Sequence, residues 1–275
     1  MNLKPFLILI LLLSALVKAQ EKNTKDFDNL NQSNKWQLQF QDSGTKNWQA
    51  KWFLDGLQAN IKNTKAGMLF HAGAKTGTDT DHAVLWTKES FKENLKIEYN
   101  FTRKDSATKW AIILYLQATG TGVIPYVKDI SKWNHLREIP AMKTYFTNMK
   151  ALHISYASFE NNNIDKTKDY IRVRQYPVIS GQNFNATTEI PNPFFETGLF
   201  KTDENYKITV IKTSEKLYFK VAGRNNSKLF CWDLKNQPSL LEGRIGLRQM
   251  ASRSALYKDF SVYTIKSGQT QQFQK

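Results

Sequence analysis

The chain has a single cysteine, Cys231. An internal disulfide is therefore excluded, and if the protein is exported its core alone must hold the fold. Cys231 lies between Phe230 and Trp232 with nothing nearby to lower its pKa, which marks a structural thiol and not a nucleophile. Acidic residues are also scarce. There are 24 Asp and Glu against 39 Lys and Arg, for a net charge of +15, which implies attraction to an acidic partner. The four histidines include no His-x-His or His-x-x-x-His pair, so no metal site of the zinc type is expected. No repeat, low-complexity block or long linker divides the chain. After the first twenty residues no apolar run is long enough to span a bilayer.

The beginning of the chain is distinctive. Lys4 precedes the apolar run from Phe6 to Leu13, and Val17-Lys18-Ala19 places small or aliphatic residues at −3 and −1. Residues 1–19 are expected to be a signal peptide cleaved near Ala19, which makes the protein secreted or periplasmic. Residues 20–34 are polar and Asn-rich and read as a flexible leader; residues 267–275 are Gln-rich and read as a disordered tail. Residues 35–266 then form one domain. Export, and the lack of a basic helix or nucleic-acid motif, argue against nucleic acid as the acidic partner. An acidic polysaccharide or oligosaccharide fits better, with the protein acting as a monomer.

Strand signals dominate that domain. Trp36 to Phe40, Ala83 to Thr87, Leu95 to Thr102 and Trp110 to Gln117 alternate apolar with polar residues. Helical periodicity is confined to Ser131 to Leu152, where Pro140 interrupts it. Many short strands with regular turn signals predict an all-β sandwich. The end of the chain is more specific. Strands Tyr206 to Val210, Leu217 to Val221 and Leu229 to Trp232 precede Gly243-Arg244-Ile245-Gly246-Leu247-Arg248 and a final Tyr257-Lys258-Asp259-Phe260-Ser261-Val262. This pattern resembles the close of a concanavalin-A-like jelly roll: two antiparallel sheets, a concave ligand groove and few short helices.

Side chains alternate between the faces of a strand. If Leu114, Leu116, Ile154, Ile171 and Val173 face the core, the opposite face carries Tyr115, Gln117, His153, Ser155, Tyr170, Arg172, Arg174 and Tyr176. That face is aromatic, amide, imidazole and guanidinium, unlike an ordinary solvated surface. It suits a groove for an anionic sugar polymer.

Several motifs resemble those of the YesU-like family. They are Met68-Leu69-Phe70-His71-Ala72-Gly73, Asp81-His82-Ala83-Val84-Leu85-Trp86-Thr87-Lys88 and Ile97-Glu98-Tyr99-Asn100-Phe101-Thr102-Arg103. Leu114 to Gly120, Leu152 to Tyr156 and Tyr170 to Arg174 belong with them, so the resemblance runs from about Trp48 to Ile265. It implies a concanavalin-A-like jelly roll and a place in bacterial breakdown of acidic plant or algal polysaccharides. It assigns no catalytic residue, so roles follow from chemistry.

A retaining glycosidase needs two carboxylates about 5–5.5 Å apart. The Glu-x-Asp-x-x-Glu run that hydrolytic jelly rolls use is absent. Glu98 with Asp79 or Asp81 is the only substitute, and the same two aspartates could instead form turns or serve a structural Ca²⁺. No other cofactor is expected. β-Elimination from a uronate asks for a group that neutralises the carboxylate, a base and an acid. Gln117, Arg172 and Arg174 offer the first, His153 or His82 the second, and Tyr115, Tyr156 or Tyr176 the third. The residue types therefore favour a polysaccharide lyase, with catalytic His153, His82, Tyr115, Gln117, Arg172 and Tyr156. Arg174, Tyr176, Tyr170, Trp86, Lys88, Glu98, His71, Arg248 and Arg253 are the expected substrate contacts. A non-catalytic carbohydrate-binding protein using the same groove is the alternative, and a hydrolase using Glu98 is a further one. The segment from Gly120 to Met149 is expected to wall one end of the groove.

Overall fold

The computed structural model describes residues 18–265. Residues 18–31 form helix α1, followed by strands β1 (Trp36–Asp42), β2 (Trp52–Asp55), β3 (Asn60–Thr64), β4 (Gly67–His71) and β5 (Ala83–Thr87). Then come β6 (Phe91–Lys92), β7 (Leu95–Arg103) and β8 (Trp110–Gly120). A 3₁₀ stretch, Ile130–Arg137, and helix α2 (Met142–Asn148) lead into β9 (Met149–Phe159) and β10 (Tyr170–Tyr176). Helix α3 (Phe184–Thr188) precedes β11 (Glu189–Phe195), β12 (Asn205–Lys212), β13 (Lys216–Ala222), β14 (Ser227–Asp233), β15 (Glu242–Gln249) and β16 (Ser254–Ile265).

These strands form two antiparallel sheets. The first runs β14-β13-β12-β7-β16-β4-β3, with β1 added beside β16. The second runs β11-β10-β9-β8-β15-β5-β2, with β6 beside β15. The expected jelly-roll sandwich is thus observed. Its main core lies between the sheets, where Ile97, Tyr99 and Phe101 of the first meet Leu114, Leu116, Ile154, Ile171 and Val173 of the second. Alternation along each strand delivers these residues to one face, and burying each large apolar side chain contributes about 1.5–3 kcal/mol.

Two further clusters cover the outer faces. On the first sheet, Phe27 of α1 is buried against Ile211 and Tyr218, and the Trp36 indole donates to Leu30 O at 2.7 Å. Residues 20–34 are therefore not the flexible leader expected from their polarity. Phe27 and Leu30 on the inward face of the helix pack against this cluster, and Lys96 and Lys216 of the sheet bond Asn31 O and Asn23. Cys231 lies beside this cluster as a free thiol, and burial pushes its pKa to about 11. On the second sheet, residues 121–148 pack Ile130, Trp133 and Tyr145 onto Val84, Trp86, Ile113, Tyr115 and Tyr176. That segment, expected to wall one end of a groove, instead caps the sheet face. Its helical part stops at Asn148, and residues 149–152 are strand. The expected signal peptide lies outside the described residues except for residues 18 and 19, which are helical; the tail at 267–275 lies wholly outside them. Among the described residues no helix is long and apolar enough to cross a membrane.

Candidate functional site

The strand register assembles one polar and aromatic cluster on the outer face of the second sheet. His153 on β9 stands opposite Tyr115 on β8 and Arg174 on β10. Gly246 on β15 stands opposite both Tyr115 and Trp86, and Arg248, two residues on, opposite Ile113 and Val84. Tyr115 and Arg248 are thus diagonal neighbours on adjoining strands, within reach of long side chains. Gly246 permits this arrangement. A Cβ there would meet Trp86 Cζ3 at 2.5 Å, so only glycine lets the indole lie across β15. Trp86 stacks on Tyr115 with ring centroids 5.3 Å apart, and Tyr145 of α2 stacks on Tyr115 at 6.0 Å.

Asp55, at the end of β2, ties the cap to the sheet. Its Oδ2 accepts from the Trp86 indole at 2.7 Å, Arg137 Nε at 2.6 Å and Tyr145 OH at 2.8 Å. Its Oδ1 accepts from Asn134 Nδ2 at 2.5 Å. Arg137 is fully buried and completes its bonding to Trp133 O and Ile130 O.

Both histidines of the cluster are held neutral. His153 bonds Tyr176 OH through Nδ1 at 2.5 Å and Ser155 Oγ through Nε2 at 2.6 Å. Burial, then the charges of Arg174, Arg248 and Arg172, keep its pKa well below the usual value. Arg248 Nη2 donates to His82 Nδ1 at 2.9 Å and to Pro140 O at 2.6 Å. His82 Nδ1 is therefore the acceptor, and burial with the Arg248 charge lowers its pKa to about 3. The phenols of Tyr115, Tyr145 and Tyr176 are pushed up by burial and stay protonated. Arg248 itself is fully buried, lies 4.6 Å from the Tyr145 ring centroid and makes no ion pair among the described residues. Its Nε and Nη1, and the Tyr115 hydroxyl, have no hydrogen-bond partner.

The family described as domain of unknown function DUF1961 matches residues 41–262. This chain belongs to that family. No curated protein matches it. Among solved structures, the DUF1961 chain is similar to a Bacillus subtilis protein of unknown function with a galectin-like fold. The identity is 18% and the TM-score 0.61, over 84% of this chain and 100% of that one. It is also similar to a legume lectin-like domain from Entamoeba histolytica, at 10% identity and a TM-score of 0.51, over 80% of this chain and 92% of that one. The Ca²⁺/Man3GlcNAc-bound exoplasmic/lumenal domain of VIP36 matches at 11% identity and a TM-score of 0.51, over 85% of this chain and 93% of that one. At these identities the likeness is one of fold.

Within the DUF1961 domain the expected site residues separate into groups. Tyr115, His153, Tyr176, Trp86, His82 and Arg248 do come together, but as a buried cluster and not as the wall of an open groove, because the cap covers them. Gln117 leaves that face. A register shift between Leu116 and Thr119, with Gln117 at φ 49°, turns its side chain away, so that it donates to Glu93 O at 2.9 Å and accepts from the buried Lys212 ammonium at 2.7 Å. Tyr156 shares the parity of Ile154 and lies in the main core between the sheets, its hydroxyl 3.5 Å from Tyr257 OH, on the face opposite the cluster. Arg172 and Arg174 point to the outer face as expected, but their charges are already engaged. Arg172 pairs with Glu160 and Glu189 and rests 4.5 Å from the Tyr170 ring, while Arg174 bonds Thr188 and Asn185 and approaches Glu189.

Other expected contacts lie elsewhere. Glu98 is on β7 of the first sheet, paired with Lys96 and Lys207, remote in the fold from Asp79 and Asp81. The carboxylate pair of a hydrolase is therefore not assembled. Asp81 organises its own loop through Thr78, Thr80 and Lys75 N, and no three His, Cys, Asp or Glu converge on a metal position among the described residues. His71 ends β4 on the first sheet, and Lys88 is exposed beyond β5. Arg253 is fully bonded to Asp105, Trp110 O and Ala157 O. Asp55, Asn134, Arg137 and Tyr145 were not expected in the cluster. The one signal for Asp55 is an acid closing an apolar strand before Gly56, which reads equally well as a turn. An open cleft of about 670 Å³ lies at an end of the sandwich, lined by Arg103, Asp169, Leu199, Phe200 and Lys201. None of the cluster residues line it.

Proposed function

We propose that this DUF1961 protein is a secreted carbohydrate-binding protein whose ligand, an acidic glycan, is recognised on the capped outer face of the second sheet. The observation that carries the reading is the convergence there of Trp86, Tyr115, Tyr145 and Tyr176 with neutral His153 and an unpaired Arg248 guanidinium. Aromatic faces stack on sugar rings, and a few polar groups set orientation. The net charge of +15 attracts polyanions, and the fold is shared with a structure that carries Man3GlcNAc. The YesU-like resemblance of the strand motifs, with its link to polysaccharide breakdown, belongs to the same reading. Because residues 121–148 cover the cluster and leave its residues buried, a sugar reaches it only when part of that segment shifts.

A second reading, β-elimination from a uronate, is favoured by one geometry. His153 is neutral and 2.5 Å from the protonated Tyr176 phenol, in the field of Arg248. A neutral imidazole can take the C5 proton, a phenol can protonate the leaving oxygen, and a guanidinium can neutralise the carboxylate. Incubation with pectic, alginate, ulvan and glycosaminoglycan oligosaccharides, followed by affinity electrophoresis and mass spectrometry, separates the readings. Retardation without cleavage supports binding alone. Products lighter by one water than hydrolysis products, with the ultraviolet absorbance of an unsaturated uronate, support elimination. Neither retardation nor products from any of these glycans overturns both.

A further inference from the structure

We infer that Arg248 and Tyr115 form an oxyanion subsite that takes one carboxylate or sulfate group of the sugar; this rests on the carbohydrate reading above. The starting point is a pairing deficit. A guanidinium withdrawn from water is costly unless a counter-charge and hydrogen bonds compensate it. Arg137, on the cap, shows the compensated state: it is fully buried, it pairs with Asp55, and its other donors reach two carbonyls. Arg253 shows it too, with Asp105, Trp110 O and Ala157 O. Arg248 is equally buried and lacks it. Only Nη2 is engaged, by His82 and Pro140 O, and neither partner carries a negative charge.

Asp55 does not make up the deficit: its bonds go to Trp86, Arg137, Tyr145 and Asn134, and its ion pair is with Arg137. What remains is a set of donors without an acceptor: Arg248 Nε and Nη1, and beside them the Tyr115 hydroxyl. Nε and one Nη of a guanidinium form a fork that matches the two oxygens of a carboxylate or two of a sulfate, and a protonated phenol adds a third donor. The surroundings supply the rest of a sugar site. Trp86 and Tyr145 stack on Tyr115, and His153 lies 5.6 Å from it, ring to ring. Arg248 also touches the cap through Pro140 O and the Tyr145 ring. An oxyanion seated on it would therefore lie at the seam between cap and sheet.

Tyr115→Phe is the informative variant. The hydroxyl it removes makes no well-formed hydrogen bond and has only the Arg248 guanidinium and the Tyr176 hydroxyl as polar neighbours, so a purely structural Tyr115 predicts a nearly unchanged unfolding midpoint and unchanged ligand binding. The subsite predicts the same fold with affinity reduced about tenfold. Arg248→Lys, which keeps charge but loses the fork, should reduce affinity about 100-fold. Calorimetric titration would use the pectic, alginate, ulvan and glycosaminoglycan fragments, their desulfated and carboxyl-reduced forms, and sodium sulfate. The inference expects an acidic fragment to bind, its neutral form to bind at least tenfold more weakly, and both variants to erase the difference. Equal binding of acidic and neutral forms, unaffected by Tyr115→Phe, overturns the subsite and leaves the carbohydrate reading standing. Sulfate binding that Tyr115→Phe weakens, with no sugar bound, upholds the subsite and removes the carbohydrate reading. No binding of sulfate or of any fragment overturns the subsite, its donors then being met by water.

Discussion

Replacing Asp55 by Asn keeps the shape of the side chain and removes its charge. Four donors converge on that carboxylate: Trp86 Nε1, Arg137 Nε, Tyr145 OH and Asn134 Nδ2, at 2.5–2.8 Å. In the variant the buried Arg137 guanidinium loses the only anion it pairs with among the described residues. Breaking one side of a buried ion pair costs about 3–5 kcal/mol. An amide NH₂ turned toward donors adds about 1–3 kcal/mol. The donors share one partner, so the terms overlap, and the expected loss is ~5 kcal/mol, a large part of the stability of an ordinary domain. Urea denaturation measures it through the shift in midpoint at constant slope. Limited proteolysis without denaturant should also cut within residues 121–148, because three of the four donors belong to that segment. The double variant Asp55→Leu/Arg137→Met removes charge from both partners and should recover much of the loss. A single variant within ~1 kcal/mol of the parent, or a double variant worse than the single, would refute the claim that Asp55 anchors the cap.

Three further outcomes follow from the same geometry. His82 has its pKa lowered from 6.5 to about 3, and that of His153 is lowered too, so the folded state excludes protons that the unfolded state binds. Their contribution is complete above pH 6.5 and is lost as pH falls toward the folded values; at pH 5 His82 should have cost about 2 kcal/mol, and His82→Gln should flatten the stability–pH curve by that amount. Gly246→Ala should destabilise by about 1–3 kcal/mol, read as a lowered melting midpoint, because its Cβ would enter the Trp86 ring position that Asp55 holds; an unchanged midpoint would show that the indole is free to move. Arg174→Lys loses bonds to Thr188 and Asn185, so it should lower stability by about 1–2 kcal/mol while changing glycan affinity far less than Arg248→Lys; the reverse order in a titration would place the ligand on β10.

The alternation along β10 was enough, by itself, to put Ile171 and Val173 in the core and Arg172, Arg174 and Tyr176 on the other face. The same rule put Tyr115 and His153 on the outer face and pointed to the all-β sandwich, because side-chain parity is a property of adjacent residues in one strand. It failed where the partner strand intervened. A register shift in β8 turned Gln117 to the opposite side, and a shift is counted between two strands, not along one. Glu98 has the expected parity but lies in the other sheet, and sheet membership comes from pairing between distant segments. Tyr156 carries a hydroxyl yet packs in the core, where its ring area outweighs its polar tip. The largest difference concerns coverage. Composition marked residues 120–149 as an insertion, but only the folded chain shows that it seals the cluster. Its anchor joins Asn134 to Asp55, 79 residues apart in sequence. Which donors find partners, and that Arg248 and Tyr115 do not, depends on such long-range packing and cannot be read from local pattern.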